Sequence, residues 1–253
     1  MNNPPYQTLR VSFDTRVCRI ALHRPEAGNS IDGRMILELA QVLDRCAGAG
    51  CGVLVLEGAP EVFCSGGDFE ALAASSAVPD PAPLYELWQR LATGPWVSVA
   101  LVRGRVNAGG VGFVAACDMV LADRSAAFSL SELLFGIFPA CVLPFLVRRI
   151  GLQKAHYLTL STRPFLAGEA LEMGLVDALD DDLEALWRRH LLRLQRLSPA
   201  AVARYKTYLA GVAGQLEALK PAALEANRAL FGDPVVQGHI RRYVAEGKFP
   251  WEA

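Results

Sequence analysis

Three short segments of the chain carry residues that could do chemistry together. The first, residues 63–69, reads FCSGGDF and places Gly66 and Gly67 after a short apolar segment and just before a helical stretch. Glycines at such a turn let backbone amides point at a ligand, and the positive end of the following helix attracts negative charge. A tight turn without function has the same pattern, so this segment is ambiguous by itself.

The second segment repeats this arrangement about 40 residues later. Residues 104–113 read GRVNAGGVGF, again after an apolar strand and at the start of a helix. Two such turns could direct two amide donors at one oxyanion. The segment lacks the Gly-Lys-Ser/Thr ending of a phosphate-binding P-loop, and the first strand of the chain is not followed by the G-x-G-x-x-G of a dinucleotide site.

The third segment contains one carboxylate in apolar surroundings. Residues 127–139 read AFSLSELLFGIFP, and Glu132 is their only ionisable residue. Loss of solvent there would raise its pKa toward neutrality, which suits a group that takes and returns a proton. Alternatively, Ser129 or Ser131 could cap a helix in which Glu132 is an ordinary first-turn residue. The residues alone leave both interpretations open.

Composition narrows the class of protein. The 253 residues carry 25 Lys and Arg against 26 Asp and Glu, so the net charge of −1 gives no basic surface for nucleic acid or an anionic membrane. The six cysteines form no C-x-x-C pair and show no metal-ligand spacing. The N-terminus does not resemble a signal peptide, and no apolar run is long enough to span a membrane. We therefore expect a cytoplasmic protein with free thiols and without a metal.

Hydrophobic periodicity predicts an α/β fold that positions these segments. Apolar alternation predicts a hairpin over residues 8–13 and 17–23, and helical spacing over 36–46 leads into a buried strand at 52–56. Further buried strands are expected at 97–102 and 117–121, which implies parallel strands with helical crossovers. Small residues and prolines at 73–83 predict a mobile loop, either a lid or a tolerated surface loop.

The last third of the sequence is predicted to be all helical. Helices are expected at residues 142–150, 153–160, 168–173, 183–197, 200–209, 223–230 and 235–245. No polar linker separates this part from the α/β part, so we predict a core over residues 1–195 with a helical extension over 196–253, rather than two independent domains.

The three segments occur in the order and spacing of the enoyl-CoA hydratase/isomerase (crotonase) superfamily, and the chain resembles that family over nearly its whole length. Residues 23–31, HRPEAGNSI, resemble the early turn that helps to bind coenzyme A, and residues 162–170 and 173–177 resemble the segment after the core. The resemblance implies a crotonase-like ββα spiral core with a C-terminal helical extension used in trimerisation. Family members are usually trimers or dimers of trimers, so a homotrimer or hexamer is expected.

The resemblance also assigns roles. Gly67 and Gly109 match the residues whose amides form the oxyanion hole, where one preorganised donor contributes about 3–4 kcal/mol. Hydratases of the family use two glutamates. Glu132 lies at the second of these positions, whereas Gly112 occupies the first. A two-glutamate hydration is therefore in doubt, but a single glutamate can remove the α-proton and protonate the departing β-hydroxyl, which is a dehydration.

Residues 106–116 and 128–136 are most similar to the enoyl-CoA-hydratase-like enzymes of polyketide β-branching cassettes. Two such enzymes act in turn on an acyl carrier protein thioester: one dehydrates 3-hydroxy-3-methylglutaryl to 3-methylglutaconyl, and the other decarboxylates that product. The decarboxylating members carry a lysine and a tyrosine on the helix after the first oxyanion motif. Residues 70–76, EALAASS, contain neither, which favours the dehydratase.

The resemblance implies no cofactor beyond the phosphopantetheine or coenzyme A that carries the substrate, and an acyl carrier protein as partner. The predicted substrate-binding residues are Arg24, Gly66, Asp68, Phe69, Asn107, Gly110, Phe138 and His239. Asn107 and His239 could contact the distal carboxylate or the hydroxyl, with a structural role as the alternative. The other functions considered are the decarboxylase, a hydratase or isomerase of free coenzyme A esters, and a catalytically silent binding or RNA-binding protein.

Overall fold

A computed structural model describes residues 6–75, 77–213 and 216–252. Within these residues the chain forms ten strands, eleven α-helices and two short 3₁₀ helices, Pro25–Ala27 and Glu132–Phe135. The strands are β1 (Leu9–Asp14), β2 (Val17–Leu22), β3 (Val53–Glu57), β4 (Val62–Cys64), β5 (Val97–Val102), β6 (Arg105–Asn107), β7 (Met119–Ala122), β8 (Ala127–Ser129), β9 (Phe165–Leu166) and β10 (Ala178–Leu179). The helices are α1 (Gly33–Gly48), α2 (Phe69–Ala74), α3 (Ala82–Thr93), α4 (Gly109–Ala116), α5 (Leu143–Ile150), α6 (Leu152–Ser161), α7 (Ala167–Met173), α8 (Leu183–Leu194), α9 (Pro199–Ala213), α10 (Leu216–Gly232) and α11 (Pro234–Glu246).

The main sheet has the order β1-β2-β3-β5-β7-β10, and all of its pairs are parallel except the opening hairpin. Its central strands are buried on both faces. Leu54 and Leu56 of β3 face the large core that contains residues of α1, α3 and α4, whereas Val53 and Val55 face a second core closed by α8. This two-sided burial explains why the central strands are continuous apolar runs in the sequence, as expected for a parallel sheet.

A second sheet, with the order β4-β6-β8-β9, holds the chemistry-bearing segments. Its first three strands are parallel, so their carboxyl ends lie at one edge. β4 leads into Gly66 and Gly67, β6 leads into Gly109, and β8 leads toward Glu132. The sheet therefore brings together three segments that are far apart in the sequence. Sequence patterns did not predict it, because its strands are only two or three residues long.

The helical prediction for the last third is confirmed for α5 to α11 but is incomplete, because β9 and β10 interrupt it and β10 extends the main sheet. The loop predicted at 73–83 is shorter than expected: α2 continues to Ala74 and α3 begins at Ala82, whereas Ser76 lies outside the described residues. Among the helices of the described ranges, none has the length and apolar character needed to span a bilayer. The division at residue 195 stays a prediction.

A buried ion pair fixes the C-terminal helices to the core. Lys206 of α9 lies 2.6 Å from a carboxylate oxygen of Asp118, and its side chain is only 5% exposed. The ammonium also donates a hydrogen bond to the carbonyl of Trp96 at 2.8 Å. Burial is the main cause that lowers the pKa of Lys206, and the Asp118 carboxylate opposes it. Removal of the lysine would leave the largely buried Asp118 with its hydrogen bonds from Ser98 but without its counter-charge.

We predict that Lys206→Met lowers the free energy of unfolding by about 3 kcal/mol, because the carboxylate of Asp118 loses its counter-charge. Lys154→Met, at an exposed lysine of α6, is the matched control and should change it by less than about 0.5 kcal/mol. Urea unfolding of both variants measures the difference. Equal stability of the two variants would show that the ion pair does not hold α9.

Candidate active site

The first glycine turn leaves a free backbone amide. Ile31 forms a parallel bridge with Gly67: its N–H donates to the carbonyl of Gly66 at 2.8 Å, and its own carbonyl accepts from the N–H of Asp68 at 3.2 Å. In a parallel bridge these flanking groups bond to Ile31, so the N–H of Gly67 itself faces the opposite side. Among the residues that the structure describes, that N–H has no acceptor.

The second glycine turn lies against the first. Gly109 is the first residue of α4, where helix geometry leaves the amide without an intrahelical partner. The nitrogen of Gly67 is 3.9 Å from the position that a Cβ on Gly109 would take, and the nitrogen of Gly109 is 3.6 Å from the corresponding position on Gly66. The structure therefore brings both predicted oxyanion glycines together at one point of the second sheet's edge.

Ala108 holds this turn in a strained conformation. Its φ of 48° and ψ of −116° are unusual for a residue with a side chain, and such strain costs about 1–3 kcal/mol. The N–H of Ala108 donates to the carbonyl of Ser129 at 3.0 Å, which fixes the peptide orientation. Ala108 could not be identified from the sequence, because an alanine gives no sign of positive φ.

Glu132 begins the 3₁₀ turn Glu132–Phe135 that follows β8. Its residue exposure is 8%, and within the described chain its Oε2 atom is buried without a hydrogen-bond partner. Burial raises the pKa of Glu132 to about 7, against a smaller lowering by its own backbone N–H. The N-cap residue Ser131 accepts no capping hydrogen bond, and the hydroxyls of Ser129 and Ser131 donate to Asn107. The carboxyl is thus a desolvated group and not a capping partner.

Asn107 ties the three segments together. Its Oδ1 accepts hydrogen bonds from the hydroxyls of Ser129 at 2.8 Å and Ser131 at 3.1 Å, and its Nδ2 donates to the carbonyl of Ser65 at 3.4 Å. Both ends of the amide are therefore used inside the chain. This placement corresponds to the structural alternative for Asn107, and a contact with substrate stays a prediction.

Arg24 and Asp68 join the early turn to the first glycine turn. The Arg24 guanidinium lies 3.1 Å from Asp68 and 3.3 Å from Asp32, and it donates to the carbonyl of Ser30 at 2.6 Å. Asp68 also caps α2 by accepting from the N–H of Ala71 at 2.9 Å. Burial tends to raise the pKa of Asp68, but the hydrogen bonds from Ala71, Arg24 and Ser30 lower it. These contacts hold Asp68 in place, and with it the preceding Gly67 amide.

The remaining predicted contacts lie around the Glu132 turn. Phe69 packs edge-to-face on Phe135 with 5.2 Å between the ring centroids, and Phe138 remains 39% exposed. His239 of α11 places Nδ1 3.2 Å from the carbonyl of Phe135. The ring of Phe135 also contacts Tyr243 of the same helix at 5.0 Å. The last helix of this chain therefore covers the Glu132 turn of the same chain.

Gly110 serves packing in this structure. A Cβ at this position would be 2.7 Å from the carbonyl oxygen of Cys64, so only glycine lets α4 approach β4 so closely. Two residues that sequence analysis did not single out also form the floor of the site. They are Ile31, whose Cδ1 would be 2.9 Å from a Cβ on Gly109, and Trp88 of α3, whose ring lies against Gly109 and Gly112.

The arrangement combines two unpaired amide donors with one desolvated carboxyl. Such donors stabilise negative charge on a carbonyl oxygen, and a carboxyl with a pKa of about 7 can both accept and donate a proton near neutrality. These are the groups needed to remove a proton from the carbon atom adjacent to a thioester carbonyl.

Comparison with known proteins agrees with this geometry. The family model for enoyl-CoA hydratase/isomerase matches residues 12–253. The chain is 51% identical to the bacillaene synthase dehydratase PksH of Bacillus subtilis (strain 168) over 252 residues, which cover 98% of this chain and 97% of that protein. A crystal structure of the Bacillus subtilis pksH protein superposes with a TM-score of 0.95 at 50% identity, covering 97% of this chain and all of that one. The 2,3-dehydroadipyl-CoA hydratase of Escherichia coli (strain K12) is 31% identical over 79% of this chain and 81% of its own length.

We predict that Glu132→Gln stabilises the protein at high pH. A raised carboxyl pKa means that the folded state holds the proton more tightly, so wild-type stability falls as the pH rises from 4.5 to about 7. Above that range the charged carboxylate costs about 3 kcal/mol, which the neutral glutamine avoids. Urea unfolding below pH 4.5 and above pH 7 should show a gain for the variant only at high pH. Parallel stability curves for both proteins would contradict the burial of Glu132.

Proposed function

The chain belongs to the enoyl-CoA hydratase/isomerase family, and we propose that it is a dehydratase that removes water from a 3-hydroxyacyl thioester. The proposed substrate is 3-hydroxy-3-methylglutaryl on the phosphopantetheine of an acyl carrier protein, and the product is the 3-methylglutaconyl thioester of polyketide β-branching. The observation that carries the proposal is the buried carboxyl of Glu132, which has a pKa of about 7 and follows a strand of the same small sheet whose edge holds the two unpaired amides.

The proposed reaction begins when the thioester carbonyl oxygen accepts hydrogen bonds from the N–H groups of Gly67 and Gly109. The Glu132 carboxylate takes the α-proton, and the electron pair of that C–H bond forms an enolate held by the two amides. The C–O bond to the β-hydroxyl then breaks as the enolate collapses to the double bond, and the Glu132 carboxyl returns its proton to the departing oxygen. One water leaves and Glu132 is a carboxylate again, so the cycle is balanced.

The energetics fit these two roles, in which the amides stabilise the enolate and Glu132 transfers the proton. Each preorganised amide contributes about 3–4 kcal/mol to stabilisation of the enolate oxygen, because its orientation is fixed before the charge develops. A pKa of about 7 lets Glu132 exist as carboxylate for the first step and hold the proton until the second. No second carboxylate is required, which is consistent with glycine at position 112.

Two observations separate this proposal from its rivals. α2 carries neither lysine nor tyrosine over Phe69–Ala74, which disfavours the decarboxylase. The relative at 51% identity is named a dehydratase of bacillaene synthase, which supports a carrier-bound substrate over a free coenzyme A ester. The acyl carrier protein, the phosphopantetheine thioester and a homotrimer or hexamer are parts of the proposal. A catalytically silent protein is disfavoured because the amides and the carboxyl are all in place.

We predict that incubation with 3-hydroxy-3-methylglutaryl carrier protein reduces the carrier's intact mass by one water. Glu132→Gln should slow this conversion by about 10²–10⁴-fold, because the acid/base is lost. Glu70→Gln, at an exposed glutamate of α2, is the matched control and should be as active as wild type. Intact-protein mass spectrometry follows all three reactions.

Near-normal turnover by Glu132→Gln would refute the mechanism. If wild type leaves the carrier's mass unchanged, 3-methylglutaconyl carrier protein should be offered next. A loss of carbon dioxide from that substrate would identify the protein as the decarboxylase.

A further inference from the structure

The space beside Gly112 is filled by the indole of Trp88. A Cβ built on Gly112 would lie 2.5 Å from Cζ2 of Trp88 and 2.7 Å from both Cε2 and Cη2. These separations are far below van der Waals contact, and the atoms belong to a rigid ring rather than to the end of a flexible side chain. A side chain at position 112 and the indole at position 88 therefore exclude each other.

The same ring adjoins the oxyanion amides. Gly112 follows Gly109 by three residues in α4, so both lie on one face of that helix. The position of a Cβ on Gly109 is 3.9 Å from Cζ2 of Trp88 and also 3.9 Å from the nitrogen of Gly67. The indole thus occupies the volume next to the point where the two amides meet.

The ring cannot move aside easily. Trp88 is 1% exposed and packs edge-to-face on Phe113, with 5.9 Å between centroids, and on Phe145, at 5.8 Å. Phe145 is held in turn by Tyr85 at 5.0 Å. In a core packed on all sides, an added side chain forces strain on its neighbours instead of finding room. The packing of α3 on α4 therefore holds the indole in this position.

The indole also determines the polarity of this space. Its Nε1 is buried and, among the described residues, has no hydrogen-bond partner. Buried donors are normally paired, so an N–H without an acceptor is unusual. An aromatic ring with at most a neutral N–H brings no negative charge next to the enolate oxygen, whereas a carboxylate in this volume would repel it.

We infer that Trp88 is a specificity-determining residue, whose indole takes the volume in which a carboxylate at position 112 would work and so leaves Glu132 as the single acid/base. This inference rests on the proposed function. The substrate class that it selects is a 3-hydroxyacyl thioester that one carboxyl can dehydrate. The indole leaves no room for the route in which a second carboxylate holds the water that adds to an unbranched enoyl thioester. Hydration can therefore proceed only by Glu132 alone, as the reverse of the proposed dehydration.

A double-mutant cycle in thermal stability tests the steric part without any substrate. Gly112→Glu alone should lower the melting temperature strongly, and Trp88→Ala should lower it through the cavity. The melting temperature of the double variant should be well above the value that adding the two single losses predicts, because the new side chain enters the vacated volume. Gly168→Glu is the matched control: this helical glycine of α7 has open space around its Cβ position, so its effect should be small and independent of Trp88→Ala.

Hydration of crotonyl-coenzyme A tests the specificity part. Wild type and Gly112→Glu should hydrate it slowly, and Trp88→Ala/Gly112→Glu should exceed Trp88→Ala by about 10²-fold, the lower end of the range for one added acid/base group. If the double variant does not fold, Trp88→Leu/Gly112→Asp makes the same comparison with a smaller change in volume.

Additive melting losses, or wild-type stability of Gly112→Glu, would overturn the inference. Rapid crotonyl-coenzyme A hydration by wild type, or no gain in a folded double variant, would overturn the specificity role. Failure of the proposed function is seen separately, because it appears as no loss of water from the carrier substrate with the wild-type protein.

Discussion

The close approach of α4 to its surroundings is the constraint on which the site depends. Within one turn of this helix, a Cβ at Gly109, Gly110 or Gly112 would lie 2.9 Å or less from Ile31, Cys64 or Trp88 respectively. Three glycines in four positions let the helix start directly against the first glycine turn. This contact sets the distance between the two amides, and the strained Ala108 orients the peptide that precedes Gly109. A side chain at Gly109 or Gly110 would push α4 away from Ile31 and Cys64, and one at Gly112 would collide with Trp88.

The second feature of the site is a carboxyl that is buried at the expense of stability. Within the described residues Glu132 lacks a partner for Oε2, while the hydroxyls of Ser129 and Ser131 are directed to Asn107. Buried polar groups are usually satisfied in folded proteins, and the exceptions concentrate at functional sites. The raised pKa and the catalytic competence of Glu132 thus have one cause, which is the removal of water from the carboxylate.

The features that depend on neighbouring residues could be predicted from the sequence, whereas those that depend on contacts between distant segments could not. β5 was predicted at Val97–Val102 and forms there, because burial on both faces produces an uninterrupted apolar run. The second sheet was missed because its strands are too short for a periodic pattern. Local motifs marked the glycine turns and Glu132 as candidates, the family resemblance assigned their roles, and the structure brings Gly67 and Gly109 together. The contact of Trp88 with Gly112 could not be predicted, because it depends on how α3 packs on α4 and leaves no local sign in either segment.

The most direct test of the account is the pKa of Glu132 itself. With carbon-13 in the glutamate side-chain carboxyls, the resonance that disappears in Glu132→Gln can be assigned and titrated by NMR. We predict a midpoint of about 7, because the folded chain desolvates the carboxylate. A midpoint near 4.5 would mean that water reaches the group, and it would contradict the single-carboxyl mechanism.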